Sequence, residues 1–371
     1  MGVFSGVISL VADGDDEVKY IRAGKMVLVF KCMGPIWLAS ACSTGEPVEI
    51  VEQQLVALHS QIISILTNQI HVMLDRKPQL DIRNLLGGTD KYLDRLVSWT
   101  SNEPAYLLNS IHAFRLPFTA RVQISTTLSK FRHDGVYFAI LLAGGRLVQL
   151  LRPKSHILGP PDLHLLINFV ERTDTFRENE AWAPICLPQF SPNAYLHQYV
   201  HYLDSEVALL LLSSNPNDFE GLSACRASIH ESLTSTGLMD LVNNFLPLQQ
   251  YTVADCEVRN LRHFLFKSLN RSQMTMPTFT APYHTQPMRK RLMRLYQQCH
   301  AAVHRQSPPL KFYFKVTEHE TILVWTTSGF ELYAVFGPLD SYETCIAGCN
   351  QLNKWIRKEE QHLFIVDSPV W

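Results

Sequence analysis

Few residues in the chain have types and spacing that could do chemistry. His300 and His304 stand four apart in a stretch where Met288, Leu292, Leu295, Cys299 and Val303 recur with a helical period. Both imidazoles therefore leave one side of a helix, as a metal-binding pair does. Together with Cys299 they would suit a metal-dependent hydrolase. The glutamate that HExxH places between its histidines is missing, however, and no third ligand is evident. His197 and His201 share a strand face and read as a solvated or core-edge pair, while Cys345 and Cys349 lie on an inner helix face and read as packing. The glycine-rich run 85–90 follows no strand and lacks GxxxxGK[ST], so it reads as a helix end followed by a Thr N-cap. No GxSxG is present, and no Cys/His/Asp grouping stands out.

Two surface features could bind instead of react. Arg289, Lys290 and Arg291, with Arg294 one turn on, form the one notable charge run. Against anionic lipid each basic residue contributes about 1 kcal/mol, so four give about 4 kcal/mol. That is too little to hold a protein on a membrane alone. A solvated face and a weak contact with lipid or an acidic partner both stay open. Trp37 follows the tight Gly34-Pro35 turn, and is either core or an exposed interface anchor.

The bulk numbers narrow the class. With 46% hydrophobic and 18% charged residues in 371, a packed core is feasible throughout, and the length suits two or three domains. A formal net charge of −1 gives no electrostatic reason to bind nucleic acid. Eight cysteines without a CxxC read as reduced thiols of a cytosolic protein. No apolar run approaches the roughly 20 residues of a membrane span, and the first residues do not resemble a signal peptide. The start, with a helix over Gly2–Val11 and no cap, suggests a missing upstream segment.

The elements that must position these residues recur as a unit. From Leu310 to Phe336 three short strands alternate or run apolar, with turns at Thr317–Glu320 and Thr327–Gly329. Ser341 and Glu343 open a helix carrying Cys345, Ile346, Cys349, Leu352 and Ile356; the helix with His300 precedes the strands. A hairpin at Leu261–Leu269 and Gln273–Phe279 comes before that, giving the order β-β-α-β-β-β-α. A second copy opens with strands Val136–Leu142 and Arg146–Leu151 around Gly144-Gly145, then a helix from Pro160, strands near Ile185–Leu187, Tyr195–Leu203 and Val207–Ser213, and a helix capped by Asn217 with Arg226 on its apolar side. The first copy lacks the leading hairpin: strands at Val18–Ile21, Met26–Met33 and Ile36–Cys42 precede one long predicted helix from about Pro47 to Leu74, with more helices at Thr89–Thr100 and Thr119–Lys130. The reading is α+β, in three units at 1–132, 133–250 and 251–371. Each should bury one sheet face under its helices and leave the other face, or an edge, for partners.

This order resembles the longin fold. The strings 138–142 (FAILL), 161–166 (PDLHLL), 181–188 (AWAPICLP), 262–268 (RHFLFKS), 330–333 (FELY) and 355–360 (WIRKEE) are similar to those of the Mon-one (monensin-sensitivity-one) vacuolar fusion family, over essentially the whole chain. The resemblance implies a subunit that pairs with a second tri-longin protein, the calcium-caffeine-zinc-sensitivity protein. The pair would form a guanine-nucleotide exchange factor for the late-endosomal Rab GTPase (Rab-seven type). It implies recruitment by an early-endosomal Rab and by phosphoinositide membranes of endosome and vacuole, roles in endosome maturation, vacuole fusion and autophagy, and no cofactor or catalytic side chain. In the family the first longin domains join side by side, which here points to the helix at 2–11 and the strands at 18–42. The exposed interface candidates are Ser5, Ser9, Lys19, Arg22, Lys25 and Trp37. A trafficking adaptor or tether without exchange activity is the alternative.

Overall fold

The computed structural model describes residues 18–172 and 179–367, so the helix expected over Gly2–Val11, with Ser5 and Ser9, lies outside the described residues. β-branched and aromatic runs broken by glycine or polar turns form three sheets. The first contains β1 (Tyr20–Ala23), β2 (Met26–Met33) and β3 (Ile36–Cys42), in that order. Its two tight turns hold Gly24 and Gly34 at φ +61° and +60°, where a Cβ would be strained. The second sheet contains β5 (Val136–Ala143), β6 (Arg146–Leu151), β7 (Ala181–Leu187), β8 (Ser191–Asp204) and β9 (Val207–Ser213), ordered β6-β5-β9-β8-β7. The third repeats that path with β10 (Leu261–Ser268), β11 (Gln273–Thr275), β12 (Phe312–Val316), β13 (Thr321–Thr326) and β14 (Phe330–Phe336). The predicted hairpins and both three-stranded meanders are present, but β11 ends at Thr275 instead of Phe279, and β7 and β8 begin earlier than expected, at Ala181 and Ser191.

Helices cover both faces of the two complete sheets, so of the bare face or bare edge that was expected, only edges such as β7 and β12 remain. On the third, Leu292, Tyr296, Cys299 and Val303 of α9 (Gln286–His304) pack one face, and Cys345, Cys349, Leu352 and Ile356 of α10 (Tyr342–Lys358) pack the other. On the second, α6 (Pro160–Arg172) covers one face, while α5 (Phe118–Lys130), α7 (Phe219–Ser235) and α8 (Leu238–Phe245) cover the other. Gly348 of α10 lies so close to the third sheet that a Cβ would come within 2.7 Å of Phe336 Cε1. Gly348→Ala is therefore expected to lower stability by about 1–3 kcal/mol through overpacking, despite its better helix propensity. A urea midpoint measures this, and a midpoint that rises refutes it.

The predicted long helix is two. α1 (Val48–Leu66) ends at Thr67, φ +56°, and α2 (Gln69–Arg76) restarts at a new angle. A β-branched residue there costs about 1–3 kcal/mol, and the second unit offsets it. Asn68 N donates to Pro192 O (2.9 Å), Tyr195 Oη donates to Ile65 O (2.8 Å), and Ile70 and Leu74 pack beside Cys186. Periodicity alone is blind to that tertiary pull. The predicted Asn217 cap is also corrected: α7 starts after Asp218, whose carboxylate is occupied by Ser213 and Asn215. Arg226 does not merely snorkel, since it pairs with Glu180 and donates to Tyr199 Oη.

The segment after α3 (Asp90–Asn102) and α4 (Pro104–Leu107) has no counterpart in the sequence reading. It contributes β4 (Ile111–His112), which pairs in parallel with β11, and Ala113 then bridges to Leu147 of β6. Phe114 N donates to Leu147 O at 2.8 Å. One short run thus joins an edge of the second sheet to an edge of the third. Arg121 of α5 fastens it from below, donating through Nη1 to Val148 O (2.8 Å) and through Nη2 to Phe114 O (2.5 Å).

Candidate functional site

The first sheet places the predicted interface residues around its rim. Cross-strand pairing sets Trp37 beside Cys32 and Leu28 beside both Ile21 and Ala41, so these share a face. Lys19 continues that ladder, since its carbonyl accepts from Phe30 N at 2.9 Å. Arg22 pairs with Val27 and belongs to the opposite face, the one packed on α1 through Val27, Val29, Val51 and Leu55. Lys25 is exposed in the β1–β2 turn. Trp37 is 37% exposed, so it is not a core residue. The outer edge of β3 has no paired strand among the described residues.

The basic run is largely spoken for. Arg291 pairs with Glu320, and Arg294 Nη1 lies 2.5 Å from Glu46 Oε1. Arg289 donates to the carbonyls of Tyr283 and His284, with its guanidinium over Phe279. A lipid-facing reading of Arg289, Lys290, Arg291 and Arg294 therefore rests mainly on Lys290. Helical spacing could not reveal this, because the carboxylate partners sit far away in sequence. Glu46, nearly buried, also accepts from Thr44, Gln54 and Gln297, so Arg294 ties the third unit to the first.

Where the three units meet there is an open cleft of about 580 Å³. Its walls come from α1 (Glu49, Gln53), α6 (His164), β10 (Lys267) and α9 (His300). At one end, donor atoms of His300, His304 and Glu331 all lie within 4.8 Å of one another. Here the sequence reading is corrected: the third ligand-type residue exists, on β14, and Cys299 is not part of the group. Burial in the apolar core pushes the Cys299 thiol up to about 12. His304 Nε2 is 3.4 Å from Glu331 Oε2, and Tyr333 Oη donates to the same oxygen at 3.3 Å. Burial alone would raise the Glu331 pKa, but the His304 hydrogen bond and the charge of Lys267 win, and it is lowered. Burial, helped by His304, takes His300 down to about 3, so its imidazole is neutral. The available signal was Glu331 itself, a carboxylate on the same strand face as Tyr333 and Val335.

A second polar cluster lines the cleft. His164 stacks on Tyr106 with centroids 4.0 Å apart, and burial lowers its pKa to about 4. Nearby, His112 Nε2 lies 2.9 Å from Glu103 Oε1. None of these four had a distinguishing spacing in the sequence.

Among the described residues no helix is long and apolar enough to cross a membrane, and no disulfide joins two cysteines. Comparison with known proteins matches family models for the first, second and third longin domains of FUZ, MON1 and HPS1 at residues 1–96, 134–231 and 260–360. "Vacuolar fusion protein MON1 homolog A" of Gallus gallus is 35% identical over all of this chain and 68% of its own length. "Vacuolar fusion protein MON1" of Cryptococcus neoformans is 34% identical, with 61% of its length covered, and "Protein SAND" of Takifugu rubripes 34%, with 72% covered. The chain thus spans roughly two thirds of the relatives it matches. Three repeats of one sheet-and-helix unit, matched in order by those longin models and by full-chain relatives, place the chain in the MON1 family of tri-longin vacuolar fusion proteins.

Proposed function

We propose that the chain is one subunit of a heterodimeric guanine-nucleotide exchange factor, acting on a late-endosomal or vacuolar Rab GTPase together with a second tri-longin subunit. The observation that carries this reading is family membership across all three units. The unpaired edge of β3 and exposed Trp37 support it, since an edge strand offers backbone donors and acceptors to a neighbouring sheet. Exchange requires no bond-making side chain. The complex has only to bind the nucleotide-free GTPase more tightly than the loaded form, and linkage then lowers nucleotide affinity by the same factor. The site of action is the surface of endosomes and vacuoles, reached peripherally through an earlier Rab and phosphoinositide, in endosome maturation, vacuole fusion and autophagy.

Release of a fluorescent guanine nucleotide from the Rab tests the reading. The purified heterodimer should accelerate release well above the Rab alone, and unchanged release rejects it. A tether without exchange activity would instead bind the Rab irrespective of nucleotide. Trp37→Asp should weaken pairing with the partner subunit tenfold or more, as loss of an aromatic anchor does. Its melting temperature should stay within a few degrees, because the indole is exposed. Unaltered pairing in a pull-down titration would remove Trp37 from the interface.

A further inference from the structure

We infer that His300, His304 and Glu331 form a binding site for a divalent transition-metal ion of the zinc type, with its open coordination position facing the central cleft. The two histidines are one helical turn apart on α9, their ring centroids 4.3 Å apart, and Glu331 meets them from β14. A tetrahedral ion with bonds of about 2.0–2.1 Å separates neighbouring ligand atoms by roughly 3.4 Å. His304 Nε2 and Glu331 Oε2 stand 3.4 Å apart already, and the whole set lies within 4.8 Å. Closing the remainder requires only side-chain rotation.

Two features point to a ligand here. His300 is 9% exposed and stands in the wall of the cleft. Tyr333 Oη donates to Glu331 Oε2, the oxygen that also faces His304, and so helps to hold the carboxylate in place. Lastly, the group lines a cleft that opens to solvent, which gives an ion an entry path and leaves room for a fourth, exchangeable ligand.

Two imidazoles and one carboxylate with an open position suit zinc or another late first-row ion, and poorly suit calcium or magnesium, which prefer all-oxygen cages. Lys267, the cross-strand neighbour of Glu331, opposes a cation by repulsion. Glu49 on the α1 side of the cleft adds a negative charge, while Glu52 there is paired with Lys31. All three ligands belong to the third unit, whereas the open position faces the first. An ion here would therefore brace α9 against its sheet and present a coordination site toward α1.

The test uses the full chain, stripped with a chelator and dialysed against zinc or cobalt(II). One equivalent should bind, cobalt should give the visible absorption of a tetrahedral site, and zinc but not magnesium should raise the melting temperature. His304→Ala and Glu331→Gln should each weaken binding at least tenfold, while Cys299→Ala should leave it unchanged. His304 is partly exposed, so His304→Ala should melt, without metal, within a few degrees of the unaltered chain. If Glu331→Gln does not fold, the cobalt spectrum of the unaltered chain and the His304→Ala titration decide. Absence of stoichiometric binding, or binding that His304→Ala does not weaken, overturns the assignment.

Discussion

Glu320→Ala is expected to remove about 3–5 kcal/mol of folding stability, the typical loss when one partner of a buried ion pair is deleted. Glu320 closes the turn between β12 and β13, and its side chain is only 4% exposed. It accepts from Arg291 of α9 and, at 3.1 Å, from the fully buried Tyr283 hydroxyl. Truncation strands a guanidinium and a phenol beside apolar core. The loss is one of pairing, not of volume, and a second variant separates the two. Glu320→Leu combined with Arg291→Met should recover most of the stability, since replacing both charges with apolar groups is often nearly neutral. Chemical denaturation of both variants measures this. A loss below about 1 kcal/mol for Glu320→Ala would mean that water reaches the pair.

Acid should destabilise the protein steeply between pH 6.5 and about 4. Burial lowers His263 to about 3 and His164 to about 4. Both are therefore neutral in the fold and protonate readily only once unfolded. Their contribution is fully present above the unfolded value near 6.5, and is lost as pH falls toward the folded value. Each unit of pH within that window costs about 1.4 kcal/mol per histidine. Asp162 works the other way. Burial raises it to about 6 against the hydrogen bonds from Gln189 N and Phe190 N, so acid relieves it, but over a window of only about two units. The histidines dominate, and a loss of about 3 kcal/mol by pH 5 is expected from these groups. Melting curves from pH 8 to 4.5 in chelator measure it. His263→Gln should flatten the acid limb while lowering stability at pH 8, because the ring also stacks on Phe279 and hydrogen-bonds Tyr296. An unchanged acid limb in that variant would show that His263 is hydrated.

The architecture was legible wherever the pattern is local. The alternation in Phe330–Phe336, the Gly144-Gly145 turn and the helical spacing of Leu292, Cys299 and Val303 each place an element without help from the rest of the chain. What failed depended on distant partners. Thr67 breaks a strongly periodic helix because residues 192 and 195 wait to bind its end. Ile111 and His112 look like loop in isolation and become a strand only beside β11. The same holds for the sites. Arg291 and Arg294 look like a solvated stripe until Glu320 and Glu46 arrive from other elements. His300 and His304 lacked a third ligand because it sits on a strand after the helix, where no spacing rule reaches.

The short run at 111–114 has a consequence for how the chain is made. Its first neighbour, β6, follows soon after it, but its second, β11, lies in the far half of the polypeptide. During synthesis one flank of the run therefore emerges long before the strand that will cover it, with its amides and carbonyls open to whatever is near. A ribosome paused between the second and third units would carry a sticky, half-finished seam, and that is the intermediate a holding chaperone would have reason to shield.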